Sequence, residues 1–394
     1  MPDDLIYHYT SVAGLFGILS SKSIRLAHSD YLNDPYDCSL FSKLVGRYLA
    51  DTDLDEILSD THFFDEHKES LRALYKLCPL SGYVRYLHQQ IPTYVVSLTN
   101  LHDEMNMWNY YGSGGAELAF DRETLLQAFK KDFTEEENQF LTEHAVFYAQ
   151  HDENLGNILV PRFSEFHLRT KTKDDFFGAH KDEMEANQDS GQYATALYKI
   201  DNLNKFVELF LKDYLLSLHF LLCNGTLQSN SEEATVHREV LCNTITLRNI
   251  TPMGKDMRWK YDMTLYCLVL SALIKNSTYR YENERRIVYF QFKQPDDVPA
   301  LPICYDQRTI KAGSFLYPYI TLLNKTAAGE SDGQKEFSKA LVQLVLSPST
   351  RNLPIDEQTY CENLRQFLTT HGYSAFSAPD SIQKIVYSKH AIRW

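Results

Sequence analysis

Two glutamates, Glu282 and Glu284, stand in the stretch "YRYENERRIVYF", which continues through Arg285 and Arg286 into an apolar segment. Residues two apart on a strand point to the same face, so a strand here would set the two carboxylates side by side. Like charges that close repel unless a cation, a proton or a substrate hydroxyl lies between them. Paired carboxylates suit chemistry at a sugar. One stabilises the positive charge that builds on a sugar as its glycosidic bond breaks; the second takes a proton from the incoming nucleophile, worth about 10² to 10⁴-fold for a positioned base. The same pair also suits a divalent cation in a hydrolase or nuclease, with His8 of "YHYT" as base. The bland alternative is a solvated strand end with weak cross-strand ion pairs.

The other residues fit for chemistry are His8, Ser97 and Thr99 of "SLT", and the aromatic and glycine cluster from Trp108 to Gly115. All lie at strand ends or in the turns beside strands, where sites are commonly mounted. They are far apart in sequence, so a sheet must bring three strands together before they form one site. His8 between two tyrosines also reads as a hydrogen-bonded structural histidine. Trp108, Tyr110 and Tyr111 read as core or hairpin packing, or as rings lining a pocket. Gly112, Gly114 and Gly115 do not follow the dinucleotide fingerprint, because a strand rather than a helix opens after them.

The elements that must position these groups follow from pattern. "DLIYHYT" reads as a first strand and "SVAGLFGILSSKSIRLA" as a helix capped by Ser11, with Leu15, Ile18 and Leu19 on one face. "YLNDPYD" is a turn fixed by Asn33, Asp34 and Pro35, and a mostly helical stretch runs to about residue 90. "PTYVVSLTN" and "AELAF" read as two strands of a hairpin turning at Gly112 to Gly115. A strand is expected near 145–150, a helix ending near Lys275, and a strand carrying both glutamates and running to about 292. "FLYPYITL", "LVQLVLSP", a helix from about Glu357 to Thr370 and a strand near Ile385 complete the tail. The pattern is α+β with mixed strands, divided as 1–154 (first half of the main domain), 155–250 (a mostly helical insertion) and 251–394 (second half).

Composition bounds the function classes. With 394 residues and 44% hydrophobic content the chain buries a substantial core, and 26 Tyr and 22 Phe argue against disorder. A formal net charge of −13 weighs against a general nucleic-acid surface, although Lys255, Arg258 and Lys260 form a local basic spot. The seven cysteines lack any CxxC pair, so neither a disulfide framework nor a zinc ribbon is signalled, and no His/Cys/Asp cluster has metal-ligand spacing. The acidic N-terminus carries no signal-peptide pattern, and the longest apolar run, Phe206 to Cys223, includes Glu208, Lys212 and Asp213. A cytoplasmic protein with no membrane contact is expected. That run reads as a buried amphipathic helix whose need for a burial surface makes the insertion the expected place for a regulatory partner.

Several blocks together resemble a bacterial family catalogued as domain of unknown function 2971. They are "YHYTSVAGLFGILSSKSIRLAHSDYLNDP", "VVSLTNLHDEMNMWNYYGSGGAELAFD", "YENERRIVYF", "YPYITL", "LVQLVLSP" and "SIQKIVYS". The opening block and the glutamate segment in turn look like the NAD-dependent ADP-ribosyltransferase superfamily. That resemblance implies a mixed or antiparallel split sheet with a helical insertion, NAD as substrate, and a macromolecular acceptor, protein or nucleic acid. It also implies a role as bacterial toxin or phage-defence effector, with an antitoxin as one kind of partner. On it, His8 contacts the ribose, Ser97 and Thr99 support the nicotinamide side, Glu284 is the catalytic glutamate and Glu282 orients the acceptor. Tyr9, Thr10, Asn33, Trp108 and Tyr110 join the NAD-binding set, while Tyr31, Tyr110 and Tyr111 compete for the ring that stacks on nicotinamide. A non-catalytic sensor that has kept the cleft, and a metal-dependent nuclease or hydrolase, are the competing readings.

Overall fold

The computed structural model describes residues 4–32, 34, 36–59, 65, 67–131, 141–150, 152–158, 202–223, 258–291, 303–310, 313–321 and 329–390. The strands are β1 (Leu5–Thr10), β2 (Arg25–His28), β3 (Thr93–Thr99), β4 (Ala116–Asp121), β5 (Leu141–Ala145), β6 (Phe147–Ala149), β7 (Ile274–Asn276), β8 (Glu284–Phe290), β9 (Cys304–Ile310), β10 (Gly313–Thr321), β11 (Leu341–Leu346) and β12 (Ile385–Tyr387). The α-helices are α1 (Val12–Ser21), α2 (Leu40–Ala50), α3 (Leu54–Ser59), α4 (Lys68–Leu77), α5 (Leu80–Gln90), α6 (Met105–Tyr110), α7 (Arg122–Lys131), α8 (Leu203–Cys223), α9 (Arg258–Leu273), α10 (Asp332–Ala340) and α11 (Glu357–Thr370). The fold is mixed α+β.

The chain divides into two units. One comprises Met1–Leu32, Thr93–Val146 and Thr278–Trp394, the other Asn33–Pro92 and Phe147–Ser277. The helical stretch before residue 92 therefore groups with the region expected as an insertion rather than with the first half of the main domain. Most of that region lies outside the described residues.

The first unit is built on a mixed ten-stranded sheet in the order β12-β11-β4-β1-β3-β2-β10-β9, with β8 pairing both β3 and β5. The β11–β12 pair is parallel and the other pairs of this sheet are antiparallel. Local sequence explains the flanking helices. Ser11 Oγ accepts the Gly14 N–H to start α1, and Lys22 closes the helix in the left-handed region. Ser331 and Gln334 form a reciprocal capping box on α10, and Asp356 caps α11.

Two expectations are corrected. "SLT" and "AELAF" do not form a hairpin: β1 lies between β3 and β4, and α6 occupies part of the connection. The glycines make a close crossing rather than a hairpin turn. A Cβ on Gly115 would stand 1.9 Å from the Thr10 carbonyl oxygen, so β1 and the start of β4 approach as only glycine allows. Nor do the two glutamates share a strand. Glu282 ends a 3-10 turn (Ser277–Glu282), Asn283 sits at φ 41°, and β8 starts at Glu284. The left-handed residue breaks the period-two alternation between them.

The second unit packs α2, α4, α5, α8 and α9 beside the parallel β6–β7 pair. Phe206, Phe210, Tyr214 and Leu218 recur at helical spacing on α8 and are buried. Within this unit Phe206 meets Tyr266 at 4.8 Å, and Tyr214 packs on Tyr83 at 5.1 Å while its hydroxyl donates to the Cys78 carbonyl at 2.7 Å. The apolar face of this helix is thus covered from inside its own unit. Among the described residues no helix is long and apolar enough to cross a membrane.

Candidate functional site

β3 is the hinge of the site. Along one edge it pairs with β8 from Thr93 to Thr99, and its other edge is shared. β2 takes Tyr94 and Val95, while β1 meets it at Tyr7↔Thr99. Between those two contacts the sheet splits. Ser97 lies at the split and is exposed, although every other residue of β3 is buried. The Ser97 carbonyl is satisfied by a side chain: His8 Nδ1 donates to it at 3.1 Å. A carbonyl only accepts, so the neutral ring carries its proton on Nδ1 and presents Nε2 as an acceptor. Burial lowers the His8 pKa, with the Ser97 bond opposing, which keeps the ring neutral at neutral pH.

Directly paired residues share a face, so the register lays Ala119, Tyr7, Thr99 and Glu284 in one row across four strands. Glu117 beside Tyr9, and Ser97 beside Arg286, follow in the next row. The three strands singled out by sequence thus lie together, with the carboxylates on the β8 side of the split, while His8 alternates with Tyr7 and Tyr9 and so sets out from the other face of β1.

Each carboxylate is buried and held. Glu284 takes a two-pronged contact from Arg286, Nε to Oε1 at 2.8 Å and Nη2 to Oε2 at 3.2 Å. Both residues are almost fully enclosed. Glu282 Oε1 accepts from the Tyr111 hydroxyl at 2.5 Å, and the Glu282 carbonyl accepts from Thr99 Oγ1 at 2.6 Å. The Tyr111 pKa is strongly raised, by burial first and then by the hydrogen bond and charge of Glu282, with Glu284 adding to it. Glu282 thus acts on that phenol by direct contact, and Glu284 through its charge. Arg285 turns to the other face, where it joins Arg122 on the buried Glu143.

Several residues proposed from sequence hold the site rather than contact a ligand. Tyr9 is buried; its hydroxyl donates to the Leu101 carbonyl at 3.1 Å and accepts the Glu104 N–H at 2.9 Å. Trp108 is wholly buried against it, at 4.8 Å between rings, with its indole N–H on Asp103 Oδ1. Neither offers a face to NAD, because the same rings form the core that seats α6 on the sheet. Thr99 is buried and bonds on both sides, to the Glu282 carbonyl and from the Leu101 N–H. Thr10 is half-buried at the end of β1, facing Ala116. Tyr110 is the exposed ring of this region, tilted against Tyr281 at 5.7 Å. Asn33 lies outside the described residues.

Sequence reasoning missed His102, Glu117, Arg286 and the role of Tyr111. The signal was present in two of them: Glu117 in "AELAF" and Arg286 in "RRIVYF" are charges set inside apolar strands, which the interior tolerates only with a partner. Among the described residues no group of three or more His, Cys, Asp or Glu is placed to hold a metal ion. Comparison with protein-family models, curated proteins and solved structures found no match for this chain.

Proposed function

We propose that the first unit is an NAD-splitting transferase of the ADP-ribosyltransferase type, its mixed sheet being the split sheet of that fold, acting on a macromolecular acceptor. The observation that carries this reading is the split itself. Where β1 and β2 part along β3 stand an exposed Ser97 and an imidazole whose Nδ1 is held by the Ser97 carbonyl, and, one strand away, Glu282 on Tyr111 and Glu284 on Arg286. His8 Nε2 accepts a ribose hydroxyl, and Ser97 Oγ serves the nicotinamide carboxamide. The carboxylates of Glu282 and Glu284 oppose the charge that grows on the ribose as its bond to nicotinamide breaks. Glu284 begins the reaction on Arg286 and strengthens its hold on the sugar as positive charge develops there, the differential binding that accelerates a step.

A second reading has a specific observation behind it. The Glu284–Arg286 pair is closed and buried, the state expected of a module that binds a nucleotide without turning it over. Purified protein incubated with NAD, with and without chelator, separates the readings. Release of nicotinamide that survives chelation supports the transferase. A rise in melting temperature with NAD but no nicotinamide supports the binding module. Activity on nucleic acid that the chelator abolishes supports a metal-dependent nuclease.

A further inference from the structure

On the face of the sheet that carries Thr99 and Glu284, His102 and Glu117 form a second acid–base arrangement. Glu117 is completely buried in β4. Its Oε1 lies 2.7 Å from His102 Nδ1, and its Oε2 accepts the Asp103 N–H at 2.7 Å. Carboxylate oxygens accept, so Nδ1 carries the proton and Nε2 is the basic nitrogen. The His102 side chain is 41% exposed and stacks on Tyr7 at 5.1 Å and 28°. An imidazole open to solvent and backed by a buried carboxylate is the orientation that general bases use.

The loop presenting it is strained and clamped. Asp103 adopts φ 48°, a conformation that a non-glycine residue keeps only where its surroundings over-determine it. Besides the Glu117 contact to its N–H, three further partners do so: Trp108 Nε1 at 2.8 Å, the Lys389 N–H at 2.8 Å, and His390 Nε2 on the Asp103 carbonyl at 2.6 Å. Tyr7, on which His102 stacks, sits in the row that reaches Glu284 two strands away, about 10 Å at the usual strand spacing. The ring therefore stands across the site from the carboxylates.

We propose that His102, oriented by Glu117, is the general base that takes the proton of the acceptor nucleophile; the proposal rests on the transferase reading above. The ribose C1′–nitrogen bond breaks with its electron pair going to nicotinamide, which leaves neutral. The acceptor O–H or N–H bonds to C1′, and its proton passes to His102 Nε2 and then to water. The groups facing the ring suit this role: the hydrogen bond it donates to Glu117 raises its pKa, Glu117 and Asp103 add charge attraction, and burial and Lys389 oppose them.

The test uses the full chain, NAD and two nucleophiles, methanol and azide. Methanol must lose a proton as it attacks; azide has none to lose. His102→Gln is expected to lower ADP-ribosyl transfer to methanol about 10² to 10³-fold and to remove the low-pH limb of its pH–rate profile, while attack by azide stays within a few-fold of the parent protein. Glu117→Gln, if it folds, moves that limb to lower pH; if it does not fold, His102→Gln and His102→Asn carry the test. Equal losses with both nucleophiles, or no loss with either, overturn the proposal and leave the transferase standing. A parent protein that releases no nicotinamide overturns the transferase reading and this proposal with it.

Discussion

Substitution of Glu284 by Gln tests whether this acid is locked in a structural pair or available for chemistry. Glu284 and Arg286 are 3% and 1% exposed and meet through two nitrogen–oxygen contacts. Gln keeps the shape and one acceptor, yet removes the negative charge that faces the buried guanidinium. Breaking one side of a buried pair costs about 3–5 kcal/mol, whereas replacing both sides by uncharged groups is often neutral. Glu284→Gln and Arg286→Met should therefore each destabilise by ~3–5 kcal/mol, lowering the melting temperature by roughly 10 °C for a unit of this size. The double variant should recover most of that loss, with a coupling of at least ~2 kcal/mol in the cycle. Urea unfolding of the four proteins, followed by circular dichroism, measures it. Nicotinamide release assayed on the stable double variant then isolates the chemistry: a folded but silent protein is expected. A Glu284→Gln protein within ~0.5 kcal/mol of the parent would refute the buried pair, being the ordinary result for a surface change. A double variant that is stable and fully active would remove Glu284 from the mechanism.

Two further outcomes follow from the same sheet. Burial pushes the Glu143 carboxyl up, but hydrogen bonds from Arg285 and Arg122 outweigh it and hold the pKa below its ordinary value of 4.5. A depressed carboxylate contributes stability that is full above the unfolded-state value and is lost as pH falls through the folded one. The stability gap between the parent and Glu143→Gln should therefore be constant near neutrality and shrink below about pH 4.5, read from unfolding curves at stepped pH. A gap unchanged down to the acid transition would contradict it. Gly115→Ala forces a Cβ to within 1.9 Å of the Thr10 carbonyl oxygen and 2.7 Å of the Ser11 Cα, so β1 and β4 must separate. A loss of ~3 kcal/mol in denaturant unfolding is expected, and an alanine variant of unchanged stability would disprove the close crossing.

Much of the local structure was legible because its causes are local. The serine cap and apolar spacing of α1 announce that helix, as the aspartate before Glu357 announces α11, and the runs that became β3, β10 and β11 show β-branched and aromatic density. What was not legible depended on partners distant in sequence or on single backbone angles. Nothing in "SLT" or "AELAF" says that residues 5–10 will lie between them, because strand order is set by long-range pairing. Asn283 at φ 41° redirects Glu282 away from the strand face that alternation assigns to it. That the strands carrying His8, Ser97 and Glu284 must be neighbours was anticipated as a requirement. The clamp on Glu284 by Arg286 was open to the same alternation, since residues two apart on a strand share a face, whereas the pairing of Arg285 with Glu143 depends on β5, a strand distant in sequence.

On the proposed transferase reading, His8 of β1 and His102 of the loop after β3 divide the work of the reaction. His8 could be taken as purely structural, since its Nδ1 closes a gap in the backbone ladder that the split leaves open. That same bond, however, fixes the tautomer, and burial keeps the ring neutral, so the structural contact is what makes Nε2 a constant acceptor for a hydroxyl. His102 stands in the opposite environment, where a buried carboxylate raises its basicity and the side chain is partly open to solvent. Groups of one chemical type whose surroundings push their pKa values apart are how a single fold separates binding from proton transfer. A sheet that needed only stability would gain little from a left-handed aspartate, a buried glutamate and an exposed imidazole in one loop. The strain at Asp103 is explained if the position of that imidazole matters to the chemistry at the split.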